Sequence, residues 1–183
     1  MHIFIVNGVP ESGKTTMEEY CIEYLNNFSK YKGKVFKIST IDSVKKIAKN
    51  IGWSGTKTPK SRKFLSDLKD LLTEYNDYPY KEVKRKIMKT IYKEGDGNIE
   101  DYVFFIDCRE PKEINHFKKD MNGVPILIRR PEVESYEQSN EADKNVLNYK
   151  YTIKIWNDKD LESFEKNIRI FLEEALNLNA EQY

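Results

Sequence analysis

Eight residues near the start of the chain, Gly8-Val-Pro-Glu-Ser-Gly-Lys-Thr15, satisfy the spacing G-x-x-x-x-G-K-[ST] in full. They follow the apolar run Ile3-Phe-Ile-Val6 and precede a segment of helical periodicity, which is the context a phosphate-gripping loop requires. Such a loop wraps an anion with inward-pointing backbone N–H groups. Gly8 and Gly13 permit the dihedrals and the close approach this needs. Glu11, Ser12, Gly13, Lys14, Thr15 and Thr16 are therefore the expected nucleotide-binding residues, at a helix start whose positive dipole end faces the anion. Lys14 is expected to bridge the β- and γ-phosphates, and the Thr15 hydroxyl to sit on Mg²⁺. A glycine turn with an incidental lysine is the bland alternative; the complete motif between strand and helix argues against it.

A second group of reactive side chains follows a later apolar run, Val103-Phe-Phe-Ile-Asp107. An acid at the carboxyl end of a buried parallel strand lies where ligands sit in open α/β sheets. Asp107 is expected to hold Mg²⁺ directly or through water, or to cap the helix that follows. Arginine is scarce, six against twenty-five lysines, and four of the six are Arg62, Arg109, Arg129 and Arg130. The rigid guanidinium fork suits phosphate oxygens better than an ammonium does, so these four are candidate phosphate ligands. Arg109 could instead pair with Glu113, four residues on.

Positioning these groups calls for alternating strands and helices. Apolar runs predict strands over Ile3–Val6, Val35–Ile38, Val103–Ile106, Val124–Ile128 and Tyr151–Trp156. Helical spacing predicts a first helix from Lys14 to about Tyr31, with Tyr20, Tyr24 and Phe28 at four-residue steps. Further helices are expected from an Asp42 cap through Ile51, from Ser61 along the stripe Phe64, Leu65, Leu68, Leu71 and Leu72, and over Pro79–Tyr92 before a Gly95-Asp-Gly97 turn. A short helix follows Pro111, and Leu161–Leu178 closes the chain with Phe164, Ile168, Phe171, Leu172 and Ala175 on one face. This predicts an α/β fold: a five-stranded parallel sheet flanked by helices in three layers. The stretch from about 42 to 97 is too long for one crossover and predicts a helical insertion within a single domain over 1–183.

Composition narrows the functional class. Charged residues make up 33% of the 183 but nearly cancel, leaving a net charge of +1, so no overall footprint for a nucleic-acid polyanion is expected. Cys21 and Cys108 form neither a CxxC pair nor a Cys/His cluster, which excludes a disulfide framework or a zinc site and suggests buried thiols in a reducing compartment. No basic leader with a cleavage site and no membrane-length apolar run is visible, so the expected location is the cytoplasm, with no membrane partner. The guanine-reading tetrapeptide Asn-Lys-x-Asp is absent, and Asp107 is followed by Cys108 where hydrolytic ATPases place a glutamate. Transfer is thus expected over hydrolysis, with a lid excluding water from the site.

Several segments resemble those of P-loop nucleoside monophosphate kinases, most closely the deoxynucleoside monophosphate kinases of phage and bacterial type. They are Ser39-Thr-Ile-Asp-Ser-Val-Lys-Lys-Ile-Ala48, Gly52-Trp53, Lys57-Thr-Pro-Lys-Ser-Arg62-Lys-Phe-Leu65, Asp107-Cys-Arg-Glu-Pro-Lys-Glu113 and Tyr151-Thr-Ile-Lys-Ile-Trp-Asn157-Asp-Lys-Asp-Leu161. Phosphomevalonate kinases share a similar architecture. The resemblance implies a P-loop fold with a helical acceptor-binding insertion and a short lid at about 129–148. The activity it implies is ATP- and Mg²⁺-dependent phosphoryl transfer to a nucleoside or deoxynucleoside monophosphate, by a monomer or homodimer acting on small molecules. It also implies that Asp42, Lys45 and Arg62 line the acceptor site, with Arg62 or Lys45 on its phosphate. Arg109 would sit near the transferring group, and Arg129 and Arg130 would enter the lid and neutralise charge in the transition state. Lys45 and Lys60 read equally as solvated lysines. Trp53 could stack on a base, though packing under the insertion suits it better. The sequence departs from the family in the lid, where Tyr136-Glu-Gln-Ser139-Asn-Glu141 lacks the family's His and adjacent Ser-Glu pair. The other readings are an ATP-binding or ATPase regulatory module, and a kinase of a non-nucleotide phosphorylated metabolite.

Overall fold

The computed structural model describes residues 1–27, 31, 33–94, 99–135 and 145–178. Five strands form one sheet: β1 (His2–Asn7), β2 (Lys34–Ser39), β3 (Tyr102–Asp107), β4 (Val124–Arg129) and β5 (Ile153–Trp156), in the order β2-β3-β1-β4-β5. The β1–β3, β1–β4 and β4–β5 pairings are all parallel, with Val6 opposite Asp107 and Asn7 opposite Leu127. This is an α/β fold with one five-stranded sheet flanked by helices. Its order follows from crossovers that carry the chain from β1 outward to β2 and back through β3, then across β1 to β4 and β5. The carboxyl ends of β1, β3 and β4 are thereby brought side by side.

The helices are α1 (Lys14–Asn27), α2 (Ile41–Asn50), α3 (Pro59–Asn76), α4 (Tyr78–Glu94), α5 (Pro111–Met121), α6 (Pro131–Glu134) and α7 (Leu161–Ala175). Strand residues alternate between faces. Phe4, Val6, Val103, Phe105, Ile126 and Ile128 meet Met17, Cys21 and Leu25 of α1 and Phe164, Ile168, Phe171 and Leu172 of α7 in one continuous core. On α1 the fully buried line is Met17, Cys21 and Leu25; Tyr20 and Tyr24 flank it half-buried, and Phe28 lies outside the described residues. Helix α5 packs against β1 and β4 through Ile114 and Phe117, both fully buried.

The chain divides into two compact units, Met1–Lys37 with Gly97–Tyr183, and Ile38–Asp96. The second holds α2, α3 and α4. Helix α2 begins at Ile41 with Thr40 as cap, so Asp42 lies inside the first turn, and its carboxylate reaches back to accept from the Ser39 N–H at 3.2 Å. The helix ends as expected, in a Schellman turn: Gly52 takes φ +99°, with Trp53 N–H on the Ala48 carbonyl and Gly52 N–H on that of Lys49. Helix α3 starts two residues before Ser61, because Thr58 caps it by accepting from the Ser61 N–H while Pro59 fills the first helical position. Of its expected stripe, Leu71 is exposed. Among the described residues, no helix is long and apolar enough to cross a membrane.

Candidate active site

Between β1 and α1 the backbone turns tightly enough that side chains are excluded. A Cβ on Gly8 would collide with Ser12 Oγ and lie 2.9 Å from the Ile128 carbonyl oxygen. At Gly13 the backbone takes φ +103°, and a Cβ would stand 2.7 Å from Asn157 Nδ2. Glu11 is also left-handed, at φ 64°, and the turn closes with Ser12 N–H on the Val9 carbonyl at 3.2 Å. Lys14 folds back over this loop, its ammonium donating to the carbonyls of Gly8 at 2.7 Å and Val9 at 2.9 Å. Thr15 and Thr16 are exposed in the first turn of α1, and Ser12 is fully buried, its Oγ without a hydrogen-bond partner among the described residues.

The loop is anchored by two residues that the motif does not contain, Asn7 and Asn157. Asn7 is fully buried; its Oδ1 accepts from the Gly8 N–H at 2.8 Å, and its Nδ2 donates to the Arg109 carbonyl at 3.2 Å and to the Tyr151 hydroxyl at 2.8 Å. Tyr151 passes the chain on by donating to the Val146 carbonyl at 2.9 Å. Burial pushes the Tyr151 phenol well up, which keeps it a donor. β5 begins at Ile153, two residues later than the apolar run suggests. Asn157, just beyond β5, donates from Nδ2 to the Ser12 carbonyl at 3.0 Å, while its own N–H bonds to the Arg129 carbonyl.

Asp107 ends β3 half-buried, beside Val6 in the sheet register, and the Cys108 N–H donates to the Val6 carbonyl. Cys108 is buried, and its thiol donates to Glu113 Oε2 at 3.4 Å. Glu113 itself is buried, 1% exposed. Arg109 is half-buried, its backbone held by Asn7.

Glu18, one turn beyond Lys14 on α1, is a functional candidate that the sequence reading missed. Its carboxylate is 1% exposed and meets Lys37 of β2 at 2.6 Å. Burial pushes it up to about 7 against the pull of Lys37, and the charge of Asp107 adds to the rise. The available signal was an acid adjoining the Met17-Cys21-Leu25 line, which faces inward.

The two adjacent arginines at the end of β4, Arg129 and Arg130, are used differently. Arg130 reaches the loop, donating to the Glu11 carbonyl at 3.1 Å, and pairs with Glu132 at 2.9 Å. Arg129 forms a two-pronged pair with Glu134, both contacts 2.6 Å, and lies 4.9 Å over the Trp156 ring. Glu134 also accepts from the Arg130 N–H, so the Arg129 pair fixes the backbone from which Arg130 extends.

In the helical unit, Asp42 lies 3.6 Å from Lys86. The Lys45 and Arg62 side chains are exposed, with no hydrogen bond or ion pair among the described residues. Trp53 is half-buried and its Nε1, inaccessible to solvent, has no partner among the described residues. The lid stretch Tyr136–Glu141 and the Gly95–Gly97 turn lie outside the described residues.

The chain matches no family model and no curated protein. Among solved structures it is similar to Kti12 of Chaetomium thermophilum in complex with ADP-AlF3, at 12% identity over 93% of this chain and 97% of that one, with a TM-score of 0.49. It is also similar to shikimate kinase from Aquifex aeolicus vf5, at 19% identity over 96% of this chain and 98% of that one, with a TM-score of 0.48. Both lie below the similarity at which a likeness says more than that two folds are loosely alike.

Proposed function

We propose that the protein binds ATP at the Gly8–Thr15 loop and transfers its γ-phosphoryl to a small phosphorylated acceptor, a nucleoside or deoxynucleoside monophosphate. The observation that carries the reading is the loop itself: two glycines where a Cβ would collide, at a helix start, with Lys14 folded across its mouth. In phosphoryl transfer the protein does little covalent chemistry, so rate comes from alignment and from cations aimed at the equatorial oxygens. Lys14 exchanges its carbonyl partners for β- and γ-phosphate oxygens. Arg130 extends from the loop rim toward the same charge, with Arg129 and Glu134 setting its backbone, and Arg109 serves the transferring group. Asp42, Lys45 and Arg62 hold the acceptor, Arg62 or Lys45 binding its phosphate.

The residues present fit Mg²⁺. Among the described residues no three of His, Cys, Asp and Glu cluster to hold a metal alone, but Mg²⁺ commonly binds through one or two carboxylates together with substrate phosphates. The exposed Thr15 hydroxyl and Asp107 would hold it, and the buried Glu18 Oε1 without a partner marks unused acceptor capacity nearby. When bound, the ion supplies charge neutralisation across the phosphate oxygens.

ADP release from Mg-ATP, measured with and without a panel of nucleoside and deoxynucleoside monophosphates, tests the proposal. Release that depends on one of these acceptors is expected. Slow release indifferent to all of them would mark an ATP-binding module, and stimulation by mevalonate phosphate alone would move the acceptor outside the nucleotides.

A further inference from the structure

Resting on the loop reading above, we infer that Glu18 belongs to the metal site as an outer residue, its free carboxylate oxygen accepting a hydrogen bond from a water bound to the nucleotide's divalent cation. Nothing in the G-x-x-x-x-G-K-T motif calls for an acid at this position. The carboxylate is 1% exposed, and Lys37 engages only Oε2, at 2.6 Å. Oε1 is buried and has no hydrogen-bond partner among the described residues. An acceptor withdrawn from water and left unmatched costs stability, so its persistence asks for a use.

Position supplies that use. Side chains on a helix lean toward its N-terminus and cover the preceding turn, so residue 18 of α1 leans toward Lys14 and Thr15. It feels the charges of both Asp107 and Lys14, which puts the carboxylate in the field of the strand-end acid and of the loop lysine together. Mg²⁺ gives up its waters reluctantly, and each retained water presents hydrogens that need acceptors. Carboxylates beyond the ligands commonly take them and orient the site. Lys37 then holds Glu18 in place and keeps Oε1 available.

The competing account is that Glu18 merely neutralises Lys37, and metal affinity separates the two. With the full-length chain and ADP, Mn²⁺ binding is measured by electron paramagnetic resonance, and ADP binding separately in EDTA. Glu18→Gln should weaken Mn²⁺ by about 10- to 100-fold while leaving ADP binding in EDTA unchanged, and Lys37→Met, which keeps the carboxylate but loosens its hold, should weaken Mn²⁺ by clearly less. Unchanged Mn²⁺ affinity in Glu18→Gln, or an equal loss in both variants, overturns the inference. Failure of the unmodified chain to bind ADP overturns the loop reading and this inference with it. Should Glu18→Gln not fold, the same loss is expected on adding it to Lys37→Gln, where no cation is stranded, and an unchanged affinity there is equally fatal.

Discussion

The loop mouth and the helical unit hold their candidate residues in opposite ways. Around the loop the holding contacts reach backbone groups: Asn7 to Gly8 and Arg109, Asn157 to Ser12, Arg130 to Glu11, Lys14 to Gly8 and Val9. In the helical unit Lys45 and Arg62 extend into solvent from helix surfaces, and only Asp42 is tied, to Ser39 and Lys86. A rigid cradle suits a group that is the same in every turnover, the triphosphate. Long exposed cations suit an acceptor they must wrap, and they lose side-chain entropy only when it arrives. On the proposed reading, chemistry and specificity should be separately mutable in this chain.

The largest expected effect is at Lys14. Lys14→Ala should lower turnover by on the order of 10³-fold with the fold unchanged, read from steady-state kinetics and circular dichroism; normal turnover would remove the loop from the chemistry. Asn7→Ala comes next. It deletes three hydrogen bonds, two of them buried, and leaves the Gly8 N–H without its acceptor, so a loss of about 2–4 kcal/mol is expected in denaturant unfolding. A neutral result would mean that the loop stands without its anchors. Between the arginines, Arg130→Ala should reduce kcat with little change in stability. Arg129→Ala should cost about 1–2 kcal/mol of stability through its pair with the largely buried Glu134, and the reverse pattern would exchange their roles.

The helical unit should respond in KM instead. Arg62→Ala is expected to raise the acceptor's KM well above any change in that for ATP, and equal effects on both would take Arg62 out of the acceptor site.

Glu18 gives the loop region its own pH signature in the metal-free protein. Its folded value, about 7, lies above the ordinary 4.5, so the folded state holds this proton more tightly. The stability it contributes is complete below pH 4.5 and is lost as pH rises through about 7, by on the order of 3 kcal/mol. Glu18→Gln should flatten that part of the profile; an unchanged slope would assign it to other groups.

What could be read in the sequence follows from how far apart the interacting residues lie. The loop is a contiguous octapeptide, and the strands are short apolar runs, so both were legible. Asp107 was legible as the acid ending such a run. The anchors were not. Asn7 acts through Arg109 and Tyr151, 102 and 144 positions away, and Glu18 through Lys37 on a strand across the sheet. Helix starts were misplaced by two residues: Thr58 caps α3 by accepting from the Ser61 N–H, and α2 starts after Thr40 with Asp42 inside its first turn. The arginine pair shows the same limit, since adjacency in sequence says nothing about which guanidinium Glu134 will claim.

The most direct test follows the phosphorus atom. With ATP labelled at the γ-phosphoryl, Mg²⁺ and the acceptor panel, label should appear in a nucleoside or deoxynucleoside diphosphate in equal amount to the ADP formed, and should vanish with Lys14→Ala. Label found only in inorganic phosphate, whatever acceptor is present, would contradict the account.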